Sequence, residues 1–204
     1  MNQQTQFQRT QTVQPTILYF GTPTVLLNTL NEDGTTNITP MSSAWSLGKC
    51  LVLGLGMGSK GLQNMQRHPE CVVNLPDPSL WKNVEALAPL TGLNPVPNHK
   101  RGKFVFEKDK FAASGLTPAD SLCVMPQRIL ECPLQIEAKV ADIRMPDHSP
   151  FAIIEVLSVH VHAHENIVID QHHINPKTWS PLIYNFRHYF GLGDELGKTF
   201  RATT

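Results

Sequence analysis

Short apolar runs, broken by Gly, Asn, Asp and Pro, recur along the chain, and few continue long enough to make a helix. Leu26 to Leu30 is such a run. The Asn31-Glu32-Asp33-Gly34 cluster behind it is a turn signal, with glycine free to take positive φ. Thr36 to Trp45 is rich in β-branched and small residues but contains Pro40, which predicts an edge or bulged strand. Lys49 to Leu55 predicts another strand, Gly61 to His68 one short helix stopped by Pro69, and Cys71 to Leu75 a strand again. Ser79 can cap a helix carrying Leu80, Trp81, Val84, Leu87 and Ala88 at helical spacing. "PLTGLNPVPNHKRGK" (Pro89 to Lys103) is a long Pro-rich connection, of a length usually kept for function. "DKFAASGLTP" predicts one helical turn ended by Gly115. In the second half, "ILECPLQIEAKVADIRM" and "FAIIEVLSVHVHAH" alternate as strands do, and "PKTWSPLIYNFRHYFGLGDELG" reads as a mixed helical and turn segment.

Most of these strands follow one another directly through turns. A doubly wound sheet needs a helix after most strands, so the pattern predicts a mainly β fold with small helices, an antiparallel Greek-key barrel. At 204 residues one domain is the natural reading, spanning residues 15–204 behind a polar Gln- and Thr-rich tail, residues 1–14, expected to be flexible.

Charge removes some partners. Lys plus Arg equals Asp plus Glu at 17 each, and no basic stripe is visible, so nucleic acid is not expected and a small molecule is. No run approaches the ~18 apolar residues of a membrane helix, so no membrane association is expected. Cys50, Cys71, Cys123 and Cys132 have no metal-type spacing and no targeting peptide is recognisable, which reads as reduced thiols in a cytoplasmic protein.

The segment "VLGLGMGSKGLQN" carries the first chemistry. Gly56-Met57-Gly58-Ser59-Lys60-Gly61 satisfies the dinucleotide fingerprint, with Asp77 at about the ~20-residue offset, yet the surrounding elements are not those of a dinucleotide fold. The phosphate chemistry survives the change of fold. A helix start offers unpaired N–H groups, Ser59 a hydroxyl, Lys60 a charge, and Asn64 follows one turn later. The bland alternative has Ser59 merely capping the helix and Lys60 solvated.

Taken together, "TILYFGTPTVLLNTLNEDGTTNITPMSSAWSLG", "LGLGMGSKGLQNMQRHPECVVNLP", "KFAASGLTP", "ILECPLQIEA" and "FRHYFGLGDELG" resemble the flavin reductase-like family of FMN-binding split barrels, from about Pro15 to Gly197. The resemblance implies a six-stranded Greek-key barrel, a homodimer, and FMN near the subunit interface. By position, Asn37, Ile38, Thr39, Pro40, Met41, Ser42 and Ser43 would line the isoalloxazine. Ser59, Lys60 and Asn64 would hold the phosphate and ribityl chain. The Ala113-Ser114-Gly115 turn and the His188-Tyr189 pair would border the same pocket. The sequence departs from the family pattern at Gly61, where a threonine is expected after the polar pair.

That resemblance implies an NAD(P)H:flavin oxidoreductase, taking hydride to flavin N5 and passing electrons to a small-molecule or flavin acceptor. The cofactor carries the redox step, donors along the N1–C2=O edge stabilise its reduced state, and no catalytic acid or base is assigned. An alternative is a flavoprotein electron carrier without NAD(P)H activity of its own. A third reading starts from "VHVHAH". His160, His162 and His164 share one strand face, and with His172 and His173 five of the nine histidines fall within fourteen residues. Glu165 and Asp170 lie near enough to complete a metal shell, against the alternative of an exposed strand face. No metal ligand is assigned.

Overall fold

The computed structural model describes residues 9–200 and residue 202. Seven strands build its main sheet: β1 (Val25–Leu30), β2 (Thr36–Met41), β3 (Ala44–Leu47), β4 (Cys50–Gly56), β5 (Glu70–Leu75), β6 (Leu134–Arg144) and β7 (Phe151–Ala163). Their order is β2-β1-β5-β6-β7-β4-β3, antiparallel at every pair, and the sheet curls into a split barrel.

The resemblance implied six strands. The difference lies at Ser42-Ser43, where the stretch expected as one strand from Thr36 to Trp45 divides. β2 forms one edge of the sheet and β3 the other, so these two serines carry the chain across the opening of the barrel. Pro40 sits in the edge strand β2, where its missing N–H costs no ladder bond.

β1 explains why its sequence is apolar without a break. Val25 and Leu27 face the barrel interior with Leu53, Leu62, Met65, Val73, Ile154 and Val156. Leu26, on the other face, packs with Ile38, Val84, Leu87, Leu116, Ile129 and Leu182. A strand covered on both sides loses the apolar–polar alternation, and each buried leucine contributes about 1.5–3 kcal/mol.

Helix α1 (Lys60–Arg67) follows β4, with Ser59 as its N-cap. The predicted Ser79-capped helix starts earlier. Asp77 caps a 3₁₀ turn over Pro78–Leu80, accepting from Ser79 N, and the chain continues into α2 (Trp81–Leu87). Asp109 caps α3 (Lys110–Ser114), and Gly115 ends it in the left-handed conformation at φ +67°.

The closing segment is not helical. Ile183–Asn185 and His188–Phe190 form a hairpin, and Phe20–Pro23 adds a third strand against its outer side. Residues 9–14 are exposed and outside any regular element, while the rest of the expected tail lies outside the described residues. Cys71 and Cys132 are buried, Cys123 is exposed, and all four cysteines are free; burial pushes the Cys71 thiol up to about 12.

Candidate functional site

The start of α1 lies beside the edge strand β2. Ser59 Oγ accepts the Leu62 N–H at 3.3 Å, and the N–H groups of Lys60 and Gly61 open the helix, where no intrahelical acceptor precedes them. A Cβ at Gly61 would stand 3.0 Å from Thr39 Oγ1. Glycine thus lets the strand hydroxyl press against the helix start, and Thr39 occupies the place where a threonine after the Ser-Lys pair was expected. Thr39 Oγ1 in turn accepts from Asn37 Nδ2 at 3.1 Å.

Two further lysines complete this end: Lys100, from the basic cluster of His99, Lys100, Arg101 and Lys103 that reads in the sequence as a solvated loop, and Lys110, which the sequence did not single out. Lys110 is buried and donates to the Ile38 carbonyl at 2.7 Å. Burial, then the charge of Lys100, push its ammonium down to about 8 against the opposing pull of Glu107. Lys100 Nζ donates to Gly58 O at 3.3 Å and lies over the Phe104 ring. With Thr39, Pro40, Ser59, Lys60 and Thr91 they line a cavity of 130 Å³. Three lysines, the hydroxyl-bearing Thr39, Ser59 and Thr91, and a helix start line this one small space, a donor set suited to an anion.

The Pro-rich connection forms the opposite wall. A Cβ at Gly92 would lie 2.5 Å from Asn37 Oδ1 and 3.0 Å from Lys60 Cγ, so only glycine lets this backbone pass. Beyond it a wider cavity of 470 Å³ opens between Asn31, Asn37, Lys60, Gln63, Leu93 and Phe106. Glu32 reaches into that space and binds Lys60 Nζ with both oxygens, at 2.7 and 2.8 Å. The Lys60 side chain is 13 % exposed and that of Glu32 62 %. The lysine holds Glu32 below the usual carboxylate range.

Some sequence-expected residues meet here and others do not. Asn37, Thr39, Pro40, Ser59 and Lys60 border the two cavities. Ile38 is core, and Met41 packs against the barrel interior. Ser42 is buried at the crossing; Ser43 bonds Tyr19 Oη at 3.1 Å, and its carbonyl accepts from Gly54 N at 2.8 Å. Asn64 is buried behind the site and ties the β1–β2 turn to α1, donating to Thr29 Oγ1 at 3.1 Å and Asn31 Oδ1 at 3.0 Å. Ser114 donates to Lys110 O at 2.6 Å, and its own carbonyl accepts from Asn83, which docks α3 on α2. Gly115 stands beside that Asn83 amide. His188 is exposed on the closing hairpin, and Tyr189 bonds Glu85 at 3.0 Å beside Trp81. Ile38, Met41, Ser42, Ser43, Asn64, Ser114, Gly115, His188 and Tyr189 therefore do not line these cavities.

The histidine strand disperses onto separate partners. His162 bonds the buried Glu137 at 2.7 Å, and His164 bonds the Leu130 carbonyl at 2.9 Å. Burial raises the Glu137 carboxyl, but the Leu122 and Cys123 N–H groups and His162 together outweigh it and hold it below its ordinary value. Among the described residues no group of three or more His, Cys, Asp or Glu is placed to hold a metal ion. A larger cavity of 880 Å³, between Trp179 and Leu196, is lined partly by the "GLGDELG" end of the resemblance segment but by none of the residues expected to bind the flavin.

A curled antiparallel sheet with a lysine-lined cavity where a helix starts beside its edge strand is the frame of a small split-barrel protein. The family described as flavin reductase like domain matches residues 17–193, and the chain belongs to that family, whose members bind flavin and are generally oxidoreductases. The uncharacterised protein YdfE of Bacillus subtilis (strain 168) is 56 % identical over 194 residues, 94 % of either chain. The fold matches flavoredoxin of Desulfovibrio vulgaris (Miyazaki F), with a TM-score of 0.79 at 20 % identity over 97 % of this chain and 100 % of that one. It also matches 2-nitrobenzoate 2-nitroreductase NbaA of Pseudomonas fluorescens, with a TM-score of 0.71 at 17 % identity over 93 % and 88 %. No helix among the described residues is long and apolar enough to cross a membrane.

Proposed function

We propose that this chain is an FMN-dependent oxidoreductase of the flavin reductase type, taking hydride from NAD(P)H and passing electrons to a small-molecule or flavin acceptor. The observation that carries the FMN assignment is the meeting of Ser59, Lys60, Lys100 and Lys110 at the Thr39-Pro40 edge of the barrel. The residues fit a flavin that ends in a phosphate. The small cavity is the right chemistry for a dianion, and Gly92 keeps its wall thin where a Cβ would collide.

When bound, FMN supplies the two-electron redox chemistry that no side chain here provides. The chain's own work is to bind and orient. Ser59 and the N–H groups at the start of α1 direct donors at the phosphate, while Lys60, Lys100 and Lys110 offset its charge. The strand from Thr39 to Ser43 offers backbone and hydroxyl donors along the ring, and Pro40 contributes none. No residue is assigned a proton transfer.

Assembly as a homodimer accords with apolar surface on the edge strand β3 and on the inner strand β7. Trp45 and Leu47 on β3 are 60 % and 76 % exposed, and Leu157, Val159 and Val161 are exposed on β7. Such a surface is expected to be covered. The free thiols accord with a cytoplasmic setting.

The test is the visible spectrum of the purified protein with FMN, followed anaerobically with NADH and then NADPH. Rapid bleaching of a bound flavin band by either nucleotide supports the reductase. A bound band that ignores both leaves an electron carrier, and absence of any bound band refutes the flavin site.

A further inference from the structure

The turn of the closing hairpin is built from the wrong residues for its shape. Asn185 and His188 pair across it and leave two residues, Phe186 and Arg187, in the loop. Both have positive φ, +44° and +71°. A two-residue hairpin turn of this hand suits Asn-Gly, because a Cβ is crowded there and a bulky side chain more so. Side-chain support at the turn is slight: His188 Nδ1 lies 3.3 Å from the Phe186 carbonyl. The Phe186 ring is 45 % exposed, and the Arg187 guanidinium is exposed and makes no hydrogen bond or ion pair among the described residues.

The backbone, by contrast, is held firmly. Phe186 N donates to the Tyr19 carbonyl at 2.7 Å. The Tyr19 hydroxyl lies 3.1 Å from Ser43 Oγ, and its ring meets Tyr184 edge-on with centroids 5.5 Å apart. One tyrosine therefore spans from the strained tip to the serine crossing at the ring end of the proposed flavin cleft. A strained turn with an exposed ring edge and an exposed guanidinium, tied through Tyr19 to the serine crossing, is suited to presenting those side chains to something outside.

We infer that Phe186 and Arg187 form a recognition element for the electron donor, a pyridine dinucleotide. The exposed ring offers a stacking face, and the unpaired guanidinium forms a fork that fits a phosphate with two parallel bonds. This rests on the FMN-dependent reading above and adds the donor's binding determinant to it. FMN also carries a ring and a phosphate, so the test separates the two ligands.

Dinucleotide binding is measured by isothermal titration of the FMN-loaded protein with NAD⁺ and NADP⁺, which stand in for the reduced forms and leave the flavin oxidised, and FMN binding is measured alongside. The variants are Arg187→Gly, which removes the fork and relieves its φ, and the double change Phe186→Asn with Arg187→Gly. The expected result is a melting temperature raised by about 2–4 °C, dinucleotide affinity lowered roughly 10-fold or more, and FMN affinity within about twofold of the parent. Arg187→Lys, which keeps the charge and loses the fork, is expected to fall between. Unchanged dinucleotide affinity with a raised melting temperature would overturn the inference, leaving only a poorly suited turn. A loss of FMN affinity in step would overturn it too, by assigning the tip to the flavin. Failure of the parent to bind either dinucleotide while it binds FMN would refute the donor element without touching the flavin site. Failure to bind FMN would refute the reading on which both rest.

Discussion

Two hairpin turns, one lining the cleft and one tied to the serine crossing through Tyr19, are built on opposite terms. At Asn31–Gly34 every residue suits its position. Gly34 takes φ +82°, Asp33 accepts from Thr35 N and pairs with Lys108, and Asn31 accepts from Asn64. With both neighbours fixed, Glu32 is delivered to Lys60. At Phe186–Arg187 neither residue suits its φ, and both side chains are exposed. One turn spends its side chains on holding itself and the phosphate end in order. The other keeps strain and leaves its side chains unused by the fold. Stable turn chemistry and available side chains are alternatives, and the two turns have taken different ones.

The largest expected effect is at the phosphate end. Lys110→Met removes a buried ammonium that the fold tolerates poorly when it is alone. FMN affinity is expected to fall about 10- to 100-fold while the melting temperature of the flavin-free protein stays level or rises, read by titration and thermal unfolding. Next come the turns themselves. Gly34→Val places a β-branched residue at φ +82° and should cost about 1–3 kcal/mol in a denaturant series. Phe186→Asn with Arg187→Gly should gain about 1 kcal/mol in the same series. Equal and opposite-signed results would confirm that the two turns differ as described; losses at both would erase the contrast.

Glu32→Gln frees Lys60 from the carboxylate that now holds it. FMN affinity should rise about 3- to 10-fold and riboflavin affinity should not move, because only the phosphate competes with Glu32. A weaker FMN complex would instead show that Glu32 positions the lysine. The smallest effect is in pH. The Lys110 ammonium is held at about 8, below its ordinary 10.5, so between those values the unfolded chain binds more protons than the fold. Stability therefore rises with pH across that window, while FMN affinity falls, by about threefold to fourfold between about pH 7 and pH 8.5. Lys110→Met should flatten both slopes.

The parts legible in the sequence were those where local chemistry and tertiary structure agree. The Asn-Glu-Asp-Gly turn, the Ser59 cap and the Gly115 stop are read from residue types because those residues do there what they do anywhere. Pro40 marked an edge strand correctly for the same reason. The split at Ser42-Ser43 left no mark, since two serines break a strand no more visibly than they continue one. Lys110 was passed over because lysine is ordinarily a surface residue, and only the packing of α3 against β2 shows it buried. The closing hairpin was read as partly helical because its tip lacks the glycine or asparagine that announces a turn. The same misfit that hid it is the basis of its proposed role. Asn64 and Ser114 were placed on the right elements, but the sequence does not say which side of a helix faces the cleft.

The central claim is that the helix start at Ser59 and Lys60, with Lys110, binds the phosphate of a flavin. It is tested most directly by titrating the parent protein and Lys110→Met with FMN and with riboflavin, which differ only in that group. The parent is expected to bind FMN at least about 10-fold tighter than riboflavin, with the preference largely lost in the variant. Equal affinity of the parent for the two flavins would contradict it.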